Sequence, residues 1–161
     1  MSSTKARMTM LAALQKAMLS GESVEGLGYT FPAPVGTLIG FKATVVEEGR
    51  AVFQLPVRRD QHANPMGTLH GGIICDVADA AMGIACATLV ELGESFTTLE
   101  LKISFMRPVV EGLLEARARV VHRGRTVQHA ECDVVLLPDE KLVARASCTC
   151  MVLRGEMAKG R

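Results

Sequence analysis

The sequence is poor in aromatic residues and has no long apolar run. It contains no Trp and one Tyr, and aromatic residues make up 4% of the chain. No platform for stacking rings or nucleobases is therefore apparent. No apolar stretch approaches the roughly 20 residues that a bilayer-spanning helix requires, so we expect no membrane partner.

An excess of one charge is also absent. Lys and Arg total 18, Asp and Glu total 17, and the formal net charge is +1. This balance gives no support for nucleic acid or an anionic membrane as a partner. An anionic ligand would have to be held by a local cluster of basic residues.

Paired cysteine motifs are missing as well. The chain has five cysteines, an odd number, and no CxxC pair. This usage predicts reduced thiols in a cytoplasmic protein. Cys148 and Cys150 would share one face of a strand, but no His or other Cys nearby in sequence completes a metal site. We therefore predict no metal.

The N-terminal 21 residues contain no acidic residue and carry Lys5, Arg7 and Lys16, so an organellar leader has to be considered. Lys16 interrupts the apolar stretch, and no small-residue cleavage site follows, which argues against a secretory signal. Apolar residues recur here at helical spacing: Met10, Leu11, Leu14, Ala17 and Met18. We expect a structural helix that docks its apolar face on the rest of the protein.

Turn signals divide the remaining chain into strands and one long helix. A Gly- and Pro-rich loop over 21–36 precedes two strand-like runs, 38–47 and 51–57. An irregular stretch over 58–72 leads into a helix over 73–92, whose apolar residues cover most of its circumference, as in a buried helix. Four more strands are predicted over 96–106, 113–122, 126–137 and 142–153. Because the links between them are short, we expect antiparallel hairpins.

This order of elements predicts an α+β fold. One antiparallel sheet of five to six strands would curl around one long central helix, with an extra helix at the N-terminus. No internal repeat or shift in composition indicates a boundary. We therefore predict a single domain over 1–161, with an N-terminal helix and loop over 1–36 and a core over 37–154.

The segment from Asn64 to Asp79 carries the most specific chemistry. The pair Gly71-Gly72 lets the backbone approach a ligand closely, and it stands where the long helix begins. Free N–H groups at a helix N-terminus attract negative charge. Asp79 lies two turns into an apolar helix, and a buried acid must be hydrogen-bonded, paired or functional.

Each of these features also has an ordinary structural explanation. Two glycines before a helix are common in loops, and His70 could be a hydrogen-bonded loop residue. Asn64 before Pro65 is typical of a turn. Asp76 shares a helix face with Asp79, and one of the two carboxylates could simply reach solvent.

Taken together, the segment resembles the PaaI-like group of hotdog-fold acyl-CoA thioesterases. The hallmark of that group is an Asn, a His-Gly-Gly and a carboxylate on the central helix. Here Asn64 stands six residues before His70, and Asp79 stands nine residues after it, which is the spacing of the group. The similarity continues through the strand at 97–108, Gly112, Gly124-Arg125 and the strand at 142–146. It covers the chain from about 38 to 153.

The resemblance implies roles for five residues. Asp79 would be the catalytic carboxylate, acting as general base on water or as nucleophile, and the Gly71 N–H would stabilise the oxyanion. Asn64 would position the water or the thioester, and His70 would anchor the loop. Thr97 would help to hold the water. The resemblance implies no metal and no organic cofactor.

The resemblance also implies a homo-oligomer, either a dimer or a dimer of dimers. The site would lie between protomers, with the Asn and His-Gly-Gly of one chain facing Asp79 of the other. Edge pairing gives a physical reason, because an open curled sheet leaves a strand edge that a second copy can join.

The substrate implied by the resemblance is an acyl-CoA, which brings phosphates to the site. Arg107, Arg123 and Arg125 stand at strand ends and turns, where a surface groove would lie. Arginine suits bidentate contact with phosphate. These three residues are the predicted contacts to the CoA moiety.

Two other functions use the same fold. An acyl-thioester dehydratase or hydratase would use His70 and Asp79 as an acid/base pair, but the spaced Asn64 and His-Gly-Gly favour hydrolysis. A non-catalytic acyl-CoA-binding sensor would normally need an output domain, for which we expect no room in 161 residues. The predicted function is hydrolysis of small aryl-acyl or short- to medium-chain acyl-CoA esters.

Overall fold

The computed structural model describes residues 8–25 and 27–159. The helices are α1 (Met10–Leu19), α2 (Pro34–Ile39), α3 (Arg59–His62) and α4 (Gly71–Ala87), followed near the C-terminus by a 3₁₀ turn over Gly155–Ala158. The strands are β1 (Lys42–Glu47), β2 (Arg50–Val57), β3 (Ser95–Phe105), β4 (Gly112–Arg123), β5 (Val127–Leu137) and β6 (Lys141–Leu153).

One antiparallel sheet holds all six strands in the order β1-β2-β4-β5-β6-β3. Helix α4 contacts every strand, so the sheet curls around it. The contact surface is built from small buried residues, with Ala78, Ala81 and Ala85 on the helix facing alanines of the strands. Small side chains let the sheet approach the helix closely. The predicted α+β architecture, with a sheet around one long helix, is confirmed.

Helix α1 packs its apolar face against β1, as its spacing predicts. The buried residues of α1 are Met10, Ala13, Leu14 and Ala17. Gln15 fixes the helix further, because its Nε2 donates to the Val46 carbonyl at 2.8 Å. Lys5 and Arg7, considered as part of a leader, lie outside the described residues. Among the helices that the structure describes, none is long and apolar enough to cross a membrane.

The first strand begins later than the sequence pattern predicts. The strand expected over 38–47 starts at Lys42, and Pro34–Ile39 form helix α2 instead. Pro34 stands at the first helical position, where its missing N–H costs nothing. Gly40 ends α2 in the left-handed conformation, with φ of 93°, which glycine adopts readily.

Helix α4 ends earlier than predicted, at Ala87 instead of residue 92. Thr88 caps it, and its hydroxyl donates to the Ala85 carbonyl at 2.6 Å. The same oxygen accepts the N–H of Gly49 at 2.8 Å. The end of α4 is thereby tied to the turn between β1 and β2.

Strand β3 does not form a hairpin with β4, which corrects the prediction for this pair. It pairs with β6 at the edge of the sheet, while β4, β5 and β6 follow one another as the predicted hairpins. Residues 106–111 must therefore pass two strands, a distance of about 14 Å at the usual spacing. Six extended residues can span it. Within the described residues, the other edge of β3 has no strand beside it.

A bulge at Leu99 divides β3 into two parts. Leu99 has no partner in the register, although the residues on either side pair with consecutive residues of β6. Before the bulge, Phe96 and Thr98 face α4. After it, Leu101 and Ile103 pack on the core instead. The extra residue thus reverses which face the odd-numbered side chains occupy.

Candidate active site

Asp79 lies in the third turn of α4, and its side chain is half-buried. The Thr98 hydroxyl of β3 donates to Oδ1 of Asp79 at 3.2 Å. Burial raises the pKa of the Asp79 carboxyl above its ordinary value, and the hydrogen bond from Thr98 offsets this only in part. The result is a carboxylate with increased affinity for a proton, which suits a general base.

An apolar cavity of about 460 Å³ borders Asp79 and Thr98. Helix α4 forms one wall, Phe96 and Thr98 of β3 another, and the start of β1 with Phe53 of β2 a third. The remaining wall comes from a group of N-terminal residues that we call the N-terminal cover: Ala17, Met18, Gly21, Phe31, Pro32, Ala33, Val35 and Gly36. The candidate catalytic group therefore lies beside a space suited to an apolar ligand.

The His70-Gly71-Gly72 segment begins α4, with His70 as the N-cap. Nδ1 of His70 accepts the N–H of Gly72 at 2.9 Å. A nitrogen that accepts a hydrogen bond carries no proton, so a neutral His70 has its proton on Nε2. The imidazole therefore fixes the first helical turn and keeps one donor for another partner.

Each glycine of the pair has a packing reason. A Cβ at Gly71 would lie 3.0 Å from Cζ of Phe105, and a Cβ at Gly72 would lie 2.9 Å from Nδ1 of His70. Neither glycine has a positive φ. Close approach of neighbouring side chains, not a left-handed backbone, therefore explains the pair.

The N–H of Gly71 is at the first position of α4, where no intrahelical acceptor exists. It donates to no acceptor within the part of the chain that the structure describes. Such a donor at the positive end of a helix is suited to an oxyanion.

Asn64 organises its own loop. Oδ1 of Asn64 accepts the N–H groups of Met66 and Thr68, at 3.0 and 3.2 Å, and Nδ2 donates to the Thr68 hydroxyl at 2.9 Å. These bonds form a turn of the kind that Asn favours. Within one protomer, Asn64 thus has a structural role, and its catalytic role stays a prediction.

His62 was not singled out from the sequence, but it is buried and supports the site. Its Nδ1 accepts the N–H of Arg58 at 2.9 Å, and its Nε2 donates to the Ile39 carbonyl at 2.9 Å. Its own carbonyl accepts the N–H of His70 at 2.8 Å. The sequence gave no signal for this role, because the Ile39 carbonyl that Nε2 contacts is 23 residues away and the other two contacts are to backbone groups.

Thr97 and Thr98 are neighbours on β3, and the structure brings Thr98, not Thr97, to Asp79. Successive side chains of a strand point to opposite faces, so Thr97 lies on the other side of β3. Sequence reasoning missed Thr98 because the bulge that sets the facing of this strand has no clear sequence signal.

The three arginines predicted for CoA do not meet around Asp79 within one protomer. Arg123 donates to the carbonyl of Leu89 at 3.0 Å, just beyond the C-terminal end of α4, which lies about 12 Å along the helix axis from Asp79. Arg123 and Arg125 both line a second groove, of about 260 Å³, beside Leu89. Arg107 is exposed in the link that follows β3, at the C-terminal end of that strand, whereas Thr98 lies near its N-terminal end.

Three cysteines lie together behind Asp79 in the core. The sulfur atoms of Cys148 and Cys150 are 3.8 Å apart, and Cys150 Sγ lies 3.9 Å from the Thr98 hydroxyl oxygen. Cys86 is buried on the facing helix, and all three are free thiols. Across residues 8–25 and 27–159, no group of three or more His, Cys, Asp or Glu side chains could hold a metal ion.

The chain is similar to known thioesterases in sequence. Residues 66–149, more than half of the chain, match the family model described as the thioesterase superfamily. A 1,4-dihydroxy-2-naphthoyl-CoA hydrolase of Listeria monocytogenes is 34% identical over 71% of this chain and 91% of its own length. The proofreading thioesterase EntH of Klebsiella pneumoniae is 32% identical over 70% of this chain and 77% of its own.

Solved structures give the same result. The E. coli PaaI protein from the phenylacetic acid degradation operon superposes with a TM-score of 0.70 at 26% identity, covering 77% of this chain and 87% of that one. A thioesterase family protein from Silicibacter pomeroyi has a TM-score of 0.71 at 32% identity, covering 76% and 91%. The chain belongs to the thioesterase superfamily, as a PaaI-like hotdog thioester hydrolase.

Proposed function

We propose that this protein hydrolyses acyl-CoA thioesters to a free acid and CoA, with Asp79 as the catalytic carboxylate. The observation that carries the proposal is the setting of Asp79: half-buried, held by Thr98, and bordering an apolar cavity. CoA as the leaving thiol is supported by the Listeria relative, whose name specifies an acyl-CoA substrate.

The chemistry follows from the groups that this chain supplies. Ionised Asp79 either removes a proton from water as the water oxygen attacks the acyl carbon, or attacks that carbon itself. In the second case water then cleaves the resulting anhydride. The negative charge on the carbonyl oxygen is stabilised by the Gly71 N–H, a kind of donor that contributes about 3 kcal/mol. The C–S bond breaks, and CoA leaves as a thiolate that takes up a proton.

We propose that a complete site is formed by two protomers. Asp79 lies eight residues beyond Gly71 on the same straight helix, which separates them by about 12 Å along the axis. An oxyanion donor must lie about 3 Å from the oxygen that it stabilises. The two groups of one protomer are therefore far apart for a single thioester, and we propose that the His70-Gly71 segment of a second copy completes the site.

The free edge of β3 is the proposed dimer interface. Three apolar side chains in and just after this strand are more than half exposed: Leu99 (57%), Phe105 (53%) and Met106 (52%). An edge strand with exposed apolar residues is suited to pairing with a second copy. We propose a dimer formed through this edge, which can pair further into a dimer of dimers.

Arg107 is the best placed of the three arginines proposed to contact CoA. It follows Phe105, whose ring lies against Gly71, so it belongs to the same end of the protomer as the proposed oxyanion site. We expect Arg107→Gln to raise KM for an acyl-CoA but not for an acyl-N-acetylcysteamine thioester, which lacks the phosphates. Arg123→Gln is the comparison, and an equal effect of both substitutions on both substrates would contradict the assignment.

We propose a cytoplasmic location. Support comes from the cysteines, which are free thiols, and four of the five are buried. An unpaired set of this kind is typical of a reducing compartment. Fractionation of cells that produce the full chain at natural levels would test this.

The central experiment measures thiol release from acyl-CoA esters by the wild type, Asp79→Asn and Asp76→Asn. Asp76 is exposed, precedes Asp79 by three residues on the same helix face, and serves as the matched control. We expect Asp79→Asn to lower kcat by a factor of at least about 100, with the fold and oligomeric state retained. Hydrolysis that survives in Asp79→Asn, or that Asp76→Asn abolishes equally, would contradict the assignment.

A further inference from the structure

The cavity beside Asp79 is built to hold an apolar group. Among its lining residues, only Asp79, Thr98 and Lys42 have polar side chains, and Lys42 is exposed at the start of β1. A site selects a hydroxyl-bearing ligand by hydrogen-bonding it, and an all-apolar wall cannot do so. The wall away from Asp79 and Thr98 therefore offers no side-chain partner for a hydroxyl on the acyl group, apart from the exposed Lys42.

The N-terminal cover lies outside the part of the chain that matches the family model. That match begins at residue 66, whereas the cover comprises residues between 17 and 36. The match to the family therefore says nothing about the wall that the N-terminal cover forms. The acyl preference of this protein must be worked out from its own cavity.

Gly83 and Phe96 define the far part of the cavity. Gly83 lies one helical turn beyond Asp79 on the same face of α4, and both line the cavity. A Cβ at Gly83 would lie 3.2 Å from Cε2 of Phe96. The absence of a side chain at position 83 therefore lets the Phe96 ring lie against the helix and leaves the adjoining space open.

We propose that Gly83 and Phe96 determine the size of the acyl group, and that this enzyme prefers unsubstituted apolar acyl groups of medium size. The proposal rests on the proposed function, with the carbonyl placed at Asp79. If each non-hydrogen atom takes the roughly 30 Å³ that one water molecule occupies in the liquid, the cavity has room for roughly 15 atoms, so acyl groups of about eight to twelve carbons fit it. An acetyl group leaves most of it empty, and a palmitoyl group exceeds it.

The first test measures kcat/KM for acetyl-, butyryl-, octanoyl-, decanoyl- and palmitoyl-CoA. We expect kcat/KM to rise by about fourfold for each buried methylene up to the medium-length chains, and to fall for palmitoyl-CoA. Benzoyl-CoA and 4-hydroxybenzoyl-CoA differ only in one hydroxyl, and we expect the hydroxylated ester to be the poorer substrate. A maximum at acetyl-CoA or at the hydroxylated ester would overturn the substrate class.

The second test uses Gly83→Ala and Gly83→Val. Each added side chain pushes on the Phe96 ring and occupies the far part of the cavity, so we expect decanoyl-CoA hydrolysis to fall at least tenfold in Gly83→Val. Butyryl-CoA, which does not reach that part, should be hydrolysed within about threefold of the wild-type rate. The butyryl-CoA rate thus serves as the internal control for folding and for the catalytic step.

Phe96→Leu provides the opposite change, because a smaller side chain lengthens the cavity. We expect its optimum to move toward longer acyl groups. Equal losses for butyryl- and decanoyl-CoA in Gly83→Val, or an unchanged profile in both variants, would overturn the roles of Gly83 and Phe96. If the wild type hydrolysed no thioester at all, the proposed function itself would fail instead.

Discussion

Thr98 holds Oδ1 of Asp79 from across the helix–sheet boundary, with its hydroxyl 3.2 Å from the carboxylate oxygen. A donor to a carboxylate favours the charged form, whereas burial favours the neutral form. Burial is the larger effect here, so the pKa of Asp79 stays above its ordinary value. The pair therefore keeps a carboxylate that is both oriented and more basic than a surface aspartate.

The first prediction concerns pH. Because Asp79 must be ionised to act as base or nucleophile, kcat/KM should fall tenfold per pH unit below its pKa, and this acid limb should lie above the ordinary aspartate range. A pH–rate profile of the protein with a medium-chain acyl-CoA gives the position of the limb. An acid limb at or below the value of a surface aspartate would contradict the raised pKa.

The second prediction compares Thr98→Val with Thr97→Val. Loss of the Thr98 hydroxyl removes the donor that lowers the pKa of Asp79, so the acid limb should move to higher pH. We also expect kcat/KM at neutral pH to fall about tenfold, the equivalent of one hydrogen bond. If Thr97→Val moved the acid limb and Thr98→Val did not, the water-holding role predicted for Thr97 would be preferred.

The third prediction is that Asp79→Asn stabilises the folded protein at neutral pH. A carboxyl whose pKa is raised on folding binds its proton more tightly in the folded state, so its contribution to stability is lost as pH rises through the folded-state pKa. Removing the charge removes this cost. Thermal unfolding at pH 7 should give a higher Tm for Asp79→Asn than for the wild type, and a difference that shrinks at acidic pH. A lower Tm at pH 7 would contradict it.

The fourth prediction concerns the contact between Gly71 and Phe105. A Cβ at position 71 would lie 3.0 Å from the ring, which must move. Since the Phe105 ring is half-exposed, we expect Gly71→Ala to cost about 1 kcal/mol, the lower end for overpacking. Chemical denaturation should show that Phe105→Leu recovers this loss in the double variant. Additive effects of the two substitutions would rule out the contact as the cause.

The fifth prediction tests whether the site is shared between protomers. Asp79→Asn and His70→Ala, each with a different affinity tag, should each be poorly active alone. In a two-fold dimer, a mixed pair contains one site with both residues intact, and random pairing gives about a quarter of the wild-type rate. Activity that does not rise above that of the two separate variants would place both groups in one protomer.

The candidate site was predictable from sequence where its residues are close together in the chain. The Asn64 to Asp79 segment has fixed spacing, and a glycine pair before an apolar helix indicates where the helix starts. Thr98 was not predictable, because it faces Asp79 only through the bulge at Leu99. Side chains alternate along β3, but the bulge residue shifts this alternation. The sequence alone does not show whether the even- or odd-numbered residues face the helix before and after the bulge.

The fold, like the site, was predictable where it depends on local sequence patterns and not where it depends on distant residues. Periodicity predicted the central helix and the strands of the core, because burial on one face is a local property of the pattern. The position of β3 beside β6 depends on pairing between distant residues, and the link over 106–111 has the length of a hairpin loop. The helix at Pro34–Ile39 was missed because Pro34 and Gly36 are typical of a loop, and Leu38 and Ile39 fit the start of a strand.

The separation of the N-terminal cover from the residues around Asp79 has a consequence for how such enzymes diversify. The proposed catalytic carboxylate and its hydrogen-bond donor lie on α4 and β3, whereas one wall of the cavity is supplied by a segment that precedes the first strand. Exchange of that segment between related proteins, by recombination or in a laboratory chimera, would alter the accepted substrates without touching the hydrolytic machinery. We therefore expect such a chimera to change the substrate range separately from the catalytic residues.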